Sequence, residues 1–217
     1  MLQVLIIGQS PRPDLEGEIR AAVPGMPFRI TGALDGLSRV ELDPLRPQDG
    51  ADTLFTVLPS GETITVSKKA VTTRLQARLT QISGPTLLAC TGAFHGIPER
   101  PDLVQPSPVL NALAEALLPR GRLGLFLPLP EQVEALGGAR RRNGVSVHAV
   151  PLRPHSDDAA RDAAAQAMAA QAPDLVLLDC ISYSRRDKAA VAKRLSCPVL
   201  LSVAVAARTA ASLLDEA

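Results

Sequence analysis

Two short apolar runs, 90 residues apart, each end in a cysteine and constrain the fold more than any other feature. The first run is Pro85–Cys90 and the second is Pro173–Cys180. A short apolar run that begins with proline and ends in small polar residues is typical of a buried parallel strand. In open α/β sheets, ligands bind just beyond the carboxyl ends of such strands. We therefore expect Cys90 and Cys180 to face each other across a cleft.

Predicted strands alternate with predicted helices along most of the chain. The predicted strands span 2–7, 28–34, 86–89, 122–127, 145–150, 174–179 and 198–202, with a β-hairpin at 53–58 and 63–67. The predicted helices span 14–22 (with Asp14 as N-cap), 68–82, 108–118, 131–142, 157–171, 186–194 and 204–215. This alternation predicts parallel α/β sheets. The proline-rich segment 98–108 is the candidate crossover between two domains.

Composition excludes several classes of partner. The chain has 217 residues and 46% apolar residues, enough for a substantial core. The net charge is +1, and the single basic run, Arg140–Arg142, is interpreted as a solvated helix face. Neither a nucleic-acid surface nor a membrane patch or membrane-spanning segment is therefore predicted. The three cysteines and the absence of an export signal predict reduced thiols in the cytoplasm.

The loop Gly8–Asp14, which follows the first predicted strand, is the second informative segment. Its backbone N–H groups and hydroxyls suit an anion, and the guanidinium of Arg12 suits a carboxylate or phosphate. The alternative is a loop made rigid by its prolines, with Arg12 in solvent. No glycine-rich phosphate-binding motif is present, so neither a nucleotide nor any other cofactor is expected.

Alternatives remain open for individual residues. Cys90 and Cys180 suit ordinary buried strand positions as well, and Cys197 is assigned to the core. Zinc bound by the two cysteines and a histidine lacks the usual ligand spacing, so no metal site is predicted. Tyr183 either donates to a bound carboxylate or caps a loop, and Asp35 either forms a turn or faces the cleft.

Five segments of the chain resemble the AroM family. They are Ile7–Asp14, Gly32–Ser38, Cys90–Phe94, Pro128–Gln132 and Asp179–Tyr183. The family usually has glycine where this chain has Ser182. AroM proteins are similar to distant members of the aspartate/glutamate/hydantoin racemase superfamily. That resemblance implies two pseudo-symmetric α/β domains with an interdomain cleft, here 1–105 plus 203–217 and 106–202, and a possible homodimer.

The resemblance also implies a two-base site, in which Cys90 and Cys180 act as acid and base in cofactor-independent proton transfer on a small carboxylate. The substrate contacts it implies come from Gln9, Ser10, Arg12, Thr91, Gly92, Ser182 and Tyr183. A thiolate needs a stabilising neighbour. The candidates are His95, His155 and Asp179, although the carboxylate of Asp179 is expected to point away from Cys180.

Racemases of this superfamily commonly have a histidine two positions after the second cysteine, where this chain has Ser182. Its absence favours the alternative, a non-catalytic protein that binds or responds to a small carboxylate. The presence of both cysteines favours the enzyme.

Overall fold

The computed structural model describes residues 1–138 and 140–214. The strands in this part of the chain are β1 Leu2–Ile6, β2 Phe28–Gly32, β3 Thr53–Val57, β4 Thr63–Ser67, β5 Thr86–Ala89, β6 Leu103–Val104, β7 Gly121–Leu127, β8 Val145–Pro151, β9 Leu175–Leu178 and β10 Val199–Leu201. The helices are α1 Pro13–Ala22, α2 Arg39–Leu42, α3 Lys68–Leu79, α4 Pro106–Leu117, α5 Pro130–Leu136, α6 Asp158–Ala169, α7 Arg185–Ala192 and α8 Ser202–Ala211, with a 3₁₀ turn at Asp43–Leu45.

The strands form two parallel sheets with the same topology. The order is β2-β1-β5-β6 in the first sheet and β8-β7-β9-β10 in the second. Every pair of neighbours in both sheets is parallel. The hairpin β3–β4 stands apart as an antiparallel pair. The predicted α/β fold with two pseudo-symmetric parallel sheets is therefore confirmed.

The two strands that precede the cysteines occupy equivalent interior positions. β5 lies between β1 and β6, and β9 lies between β7 and β10. All four residues of each strand are buried. Strands covered on both faces have continuous apolar sequences rather than alternating ones, which explains the two runs that end in cysteine.

One hydrophobic cluster joins the two halves of the molecule. It contains residues of β1, residues of β9 and four residues of α8. α8 follows the second sheet in the chain, yet it packs against α1 and β5 of the first half as well as against α4. This packing is what the assignment of 203–217 to the first domain requires. The domain limits themselves stay a prediction, and residues 215–217 lie outside the described part.

The first predicted helix begins differently from the prediction. Asp14 is not its N-cap, because α1 begins at Pro13 and Arg12 takes the N-cap position. Proline is favoured at the first helical position, where its missing N–H leaves no hydrogen bond unmade. The carboxylate of Asp14 binds the side chain of Arg12 instead of a backbone N–H of the N-cap type.

Two segments near the middle of the chain also depart from the prediction. The helix predicted for 131–142 ends at Leu136, because Gly137 and Gly138 follow it. The Arg140–Arg142 run therefore lies outside this helix. The proline-rich crossover at 98–108 contains the short strand β6 and the first turn of α4.

None of the helices described in residues 1–138 and 140–214 combines the length and the apolar character needed to cross a membrane.

Candidate active site

Cys90 and Cys180 follow equivalent strands and line the same cavity. Cys90 comes directly after β5, and Cys180 comes two residues after the end of β9. The cavity has a volume of about 210 Å³, and each cysteine is 9% exposed. Pockets for drug-sized ligands are commonly about 300–1,000 Å³, so this cavity suits a smaller molecule.

The same turn follows each cysteine and directs a backbone N–H at its sulfur. The N–H of Gly92 donates to Sγ of Cys90 over 3.4 Å, and the N–H of Ser182 donates to Sγ of Cys180 over 3.5 Å. A donor aimed at sulfur favours the thiolate. Within residues 1–138 and 140–214, neither a histidine nor a carboxylate is hydrogen-bonded to either sulfur.

Burial determines the charge state of both thiols. It raises the pKa of Cys90 to about 12, and the N–H of Gly92 offsets only part of that rise. Burial also raises the pKa of Cys180 to about 11, against the hydrogen bonds from Ser182 and the positive charge of Arg12. The negative charge of Asp179 raises the pKa of both thiols further. At neutral pH both cysteines of the unliganded protein are therefore neutral.

The charged wall of the cavity is mainly cationic. Arg12, Lys68 and Arg140 line it, and Asp179 is the one acidic lining residue in the described part of the chain. Apolar side chains complete the wall, among them Ile6, Leu15, Leu54, Phe55, Leu127 and Leu136. Positive charge concentrated in a cleft with apolar walls attracts an anion.

Arg12 connects the first loop to the turn after the second cysteine. It is 4% exposed, and its Nε and Nη2 donate to the carboxylate of Asp14 over 2.8 and 2.6 Å. Nη2 also donates to Oγ of Ser182 over 3.2 Å. Although burial works against it, the hydrogen bonds from Arg12 and His155 hold the pKa of Asp14 well below its usual range. Arg12 is thus a buried cation of the cavity wall and not a solvated side chain.

The interpretation of the arginine run as a solvated helix face is wrong for Arg140, which is buried in the cavity wall. Arg140 is 8% exposed, and its Nε and Nη2 donate to the carboxylate of Asp179 over 2.7 and 2.8 Å. Its Nη1 donates to the side chain of Asn111. The carboxylate of Asp179 is therefore bound to a guanidinium in the cavity wall. The hydrophobic pattern did not reveal this pairing because Arg140 lies on a loop, 39 residues from its partner.

Lys68 lines the cavity, although no sequence pattern predicted it as a site residue. It is the first residue of α3, and the side chain of Ser67 caps that helix by accepting from the N–H of Ala70. Lys68 is half-buried, and it belongs to none of the ion pairs found in the described residues. The start of this helix was predictable, but its position beside the cavity depends on how the hairpin packs.

Two further hydrogen bonds cross the cavity region. The hydroxyl of Thr91 donates to the backbone carbonyl of Asp179 over 3.1 Å. Nε2 of Gln132, on α5, donates to the backbone carbonyl of Thr53, on β3, over 2.8 Å. Each bond joins one half of the molecule to the other.

Two predicted ligand residues, Gln9 and Ser10, do not line the cavity. Nε2 of Gln9 donates to the backbone carbonyls of Leu34 and Leu37. The N–H and hydroxyl of Ser10 both donate to the carboxylate of Asp35, over 2.6 and 2.8 Å. These polar atoms stabilise the contact between two loops, and Asp35 takes the role of a turn former.

Tyr183 does not line the cavity either. It is completely buried, and its hydroxyl donates to the carbonyl of Leu152. It therefore anchors a loop, one of its two predicted roles.

His155 lies 3.4 Å from the carboxylate of Asp14, and His95 is exposed on the surface. Cys197 is partly exposed and also lies away from the cavity. The cavity thus brings together Cys90, Cys180, Arg12, Thr91, Gly92 and Ser182 of the predicted set.

No group of three or more histidine, cysteine, aspartate or glutamate side chains with the geometry to hold a metal ion occurs in residues 1–138 and 140–214.

The family described as AroM protein matches residues 2–214 of the chain. The chain belongs to the AroM family. No curated protein matches this AroM sequence.

Solved structures similar to this AroM chain include three enzymes. Glutamate racemase from Francisella tularensis subsp. tularensis SCHU S4, in complex with D-glutamate, has 14% identity and a TM-score of 0.60, over 98% of this chain and 80% of that chain. Maleate isomerase Iso from Pseudomonas putida S16 has 14% identity and a TM-score of 0.59, over 99% of this chain and 92% of that chain. Arylmalonate decarboxylase has 16% identity and a TM-score of 0.58, over 99% and 93% respectively. These similarities show a shared fold.

Proposed function

We propose that this protein is a cofactor-independent racemase or isomerase that moves a proton at a carbon atom next to a carboxylate, with Cys90 and Cys180 as acid and base. The observation that carries the proposal is the presence of both thiols in one small cationic cavity, each after an equivalent strand. Racemisation without a cofactor needs two acid–base groups on opposite faces of the reacting carbon. Two thiols contributed by two pseudo-symmetric halves would supply these two groups.

The cations of the cavity wall would hold the carboxylate. Arg12 and Arg140 already bind Asp14 and Asp179, whereas Lys68 has no ion-pair partner in the described residues. We therefore assign the principal carboxylate contact to Lys68, with Arg12 as the second cation on the side of Cys180. A small anion is favoured over a neutral molecule of the same size, because its negative charge is attracted by the cations of the cavity wall.

In the reaction, one of the two thiols first loses its proton to water and acts as a thiolate, while the other stays a thiol. The thiolate takes the proton from the carbon, and the electron pair of the broken C–H bond moves into the carboxylate to give an enediolate. The second thiol then donates its proton to the opposite face of that carbon and becomes the thiolate. The N–H groups of Gly92 and Ser182 are the groups placed to stabilise each thiolate in turn.

A second candidate function is binding of a small carboxylate without turnover. Two observations favour it: burial raises the pKa of both thiols, and neither sulfur is hydrogen-bonded to a histidine or carboxylate of the described residues. Such a protein would share the cationic cavity with the enzyme, but it would leave the C–H bonds of its ligand intact.

Hydrogen–deuterium exchange separates the two functions. The protein is incubated in D₂O with amino, hydroxy and aryl-substituted carboxylates, and loss of the C–H signal next to the carboxylate is followed by NMR. With each substrate enantiomer tested separately, we expect exchange of one enantiomer to fall by at least about 100-fold in Cys90→Ser and exchange of the other to fall likewise in Cys180→Ser, the range for loss of a general acid or base, because each thiolate reaches one face of the carbon. Cys197→Ser is the matched control, because Cys197 does not line the cavity.

Undiminished exchange of both enantiomers in either cavity variant would contradict the proposed mechanism. Binding of a carboxylate to the wild type, measured by calorimetry, without any exchange would establish the second candidate instead.

A further inference from the structure

Three buried side-chain polar atoms in the described residues have no hydrogen-bond partner, and two of them belong to residues of the cavity wall. These two are Oε1 of Gln132 and Oγ1 of Thr56. The third, on Arg142, belongs to a residue outside the wall. Buried polar atoms in folded proteins almost always have a partner. Both atoms lie in the wall of one cavity but have no surface open to it in the unliganded protein, so an occupant that shifts the wall slightly would supply the missing hydrogen bonds.

Gln132 contributes an acceptor, because its amide orientation is determined by the protein. Its Nε2 donates to the carbonyl oxygen of Thr53 over 2.8 Å in a buried hydrogen bond. Rotation of the amide would place Oε1 against that carbonyl, so that two acceptors would face each other. Gln132 is 6% exposed and lies in the first turn of α5, which further limits its movement.

Thr56 adds a polar group but does not determine which ligand binds. Its hydroxyl lies over Gly8, where a Cβ atom would overlap Oγ1. A hydroxyl can donate or accept, so it suits a ligand of either kind. Oε1 of Gln132 can only accept, and it therefore requires an N–H or O–H group from the ligand.

We propose that Gln132 selects carboxylates that carry an N–H or O–H donor, namely amino or hydroxy acids, over unsubstituted carboxylates. This inference rests on the proposed function, since it takes the cavity to be a carboxylate site. An unsubstituted ligand covers Oε1 and leaves it without a hydrogen bond, whereas a donor group satisfies it. Sites built to hydrogen-bond a polar group reject analogues that lack the group much more strongly than apolar pockets discriminate by size.

Calorimetric titration with matched ligands tests this selection. One series is succinate, malate and aspartate, and the other is phenylacetate, mandelate and phenylglycine; within each series the parent lacks the donor. We expect the donor-bearing ligands of at least one series to bind at least about tenfold more tightly than the parent. In Gln132→Met we expect the affinities for the parent and for the donor-bearing ligands to differ by no more than about twofold, while the affinity for the parent changes little.

Gln76→Met is the matched control. Its Nε2 also donates to a backbone carbonyl, that of Gly96, over 2.7 Å, but Gln76 does not line this cavity. The ligand ratio should be unchanged in this variant. If Gln132→Met does not fold, a crystal structure of the wild type with the tightest ligand replaces it, and a ligand donor within about 3.2 Å of Oε1 is expected.

Equal affinity of the wild type for parent and donor-bearing ligands would contradict the proposed selection by Gln132. It would not contradict the proposal that the cavity binds a carboxylate. Equal weakening of all ligands by Gln132→Met would show a structural role alone and would also overturn the selection. If the wild type binds no ligand of either series, the proposed function fails together with this inference.

Discussion

The hydroxyl of Thr91 donates a 3.1 Å hydrogen bond to the backbone carbonyl of Asp179, 88 residues further along the chain. Thr91 directly follows Cys90, and Asp179 directly precedes Cys180. One hydrogen bond therefore ties together the two strand ends that present the thiols. Thr91, predicted as a substrate contact, has its hydroxyl proton committed to this bond.

Thr91→Val should lower the stability of the protein and, under the proposed function, slow proton transfer. Loss of the hydrogen bond is expected to lower the free energy of unfolding by about 0.5–1.5 kcal/mol, measured by urea denaturation. Hydrogen–deuterium exchange of the substrate should fall by up to about 100-fold, because misplacing a reactive group by about 1 Å has effects of that size. Thr209→Val is the control, since the hydroxyl of Thr209 donates to Val205 within α8. Unchanged exchange in Thr91→Val would contradict this role for the bond.

Alkylation of the cavity thiols should be slow at pH 8 and should accelerate towards pH 11. Only the thiolate reacts, and burial raises the pKa of Cys90 to about 12 and that of Cys180 to about 11, so the reactive fraction grows as the pH rises. Cys180 should react first, because Arg12 and Ser182 both favour its thiolate. Iodoacetamide labelling followed by peptide mass spectrometry measures both rates.

The labelling is performed in Cys197→Ser, so that the third, partly exposed thiol does not contribute. Adding Ser182→Ala keeps the backbone N–H but removes the side-chain hydroxyl, which also lowers the pKa of Cys180, so it should slow the labelling of Cys180 and leave that of Cys90 unchanged. Rapid labelling of either cavity thiol at pH 7 would show that burial does not control its ionisation.

Arg140→Met should be strongly destabilising. The variant leaves the buried carboxylate of Asp179 without its cation, and breaking a buried ion pair in this way typically costs about 3–5 kcal/mol. Arg194→Met is the matched control: Arg194 also binds an aspartate, Asp162, through two hydrogen bonds, but both side chains of that pair are exposed. Its expected cost is below about 1 kcal/mol. Similar unfolding free energies for the two variants would contradict the buried role of Arg140.

Two glycine-to-alanine substitutions should have opposite effects on stability. In Gly32→Ala the new Cβ would overlap the carbonyl oxygen of Gly8, and we expect a cost of about 1–3 kcal/mol from the forced shift. Gly17 lies inside α1 with open space around it, so Gly17→Ala should stabilise the protein by about 0.5–1 kcal/mol. Urea denaturation of both variants measures the free energies of unfolding. An unchanged free energy in Gly32→Ala would show that the segments around Gly8 and Gly32 can move apart without cost.

The fold was largely predictable because its signals are local. The strands β5 and β9 each belong to a short, mostly apolar run that begins with proline and ends in small polar residues. The placement of Cys90 and Cys180 in one cavity was expected from those two runs, because ligands bind beyond the carboxyl ends of parallel strands and the two halves were expected to be equivalent.

Much of the cavity wall was not predictable, because its residues reach it through tertiary packing. Arg140 stands in an arginine run that is typical of a solvated surface, and its burial depends on Asp179. Lys68 begins a helix that only the position of the hairpin brings to the cavity. Gln9 and Ser10 lie in a loop suited to an anion, but their donors are used by neighbouring backbone and by Asp35. No spacing rule indicates which partner such a polar side chain will have.

The packing of α8 against α1 and β5 also constrains when the protein can fold during its synthesis. The strands of the first sheet are synthesised before residues 202–211, which form the helix that covers part of that sheet. Until those residues emerge, apolar side chains of α1 and β5 lack their native cover. The first half therefore reaches its final packing only after residues 202–211 have been synthesised, together with the second.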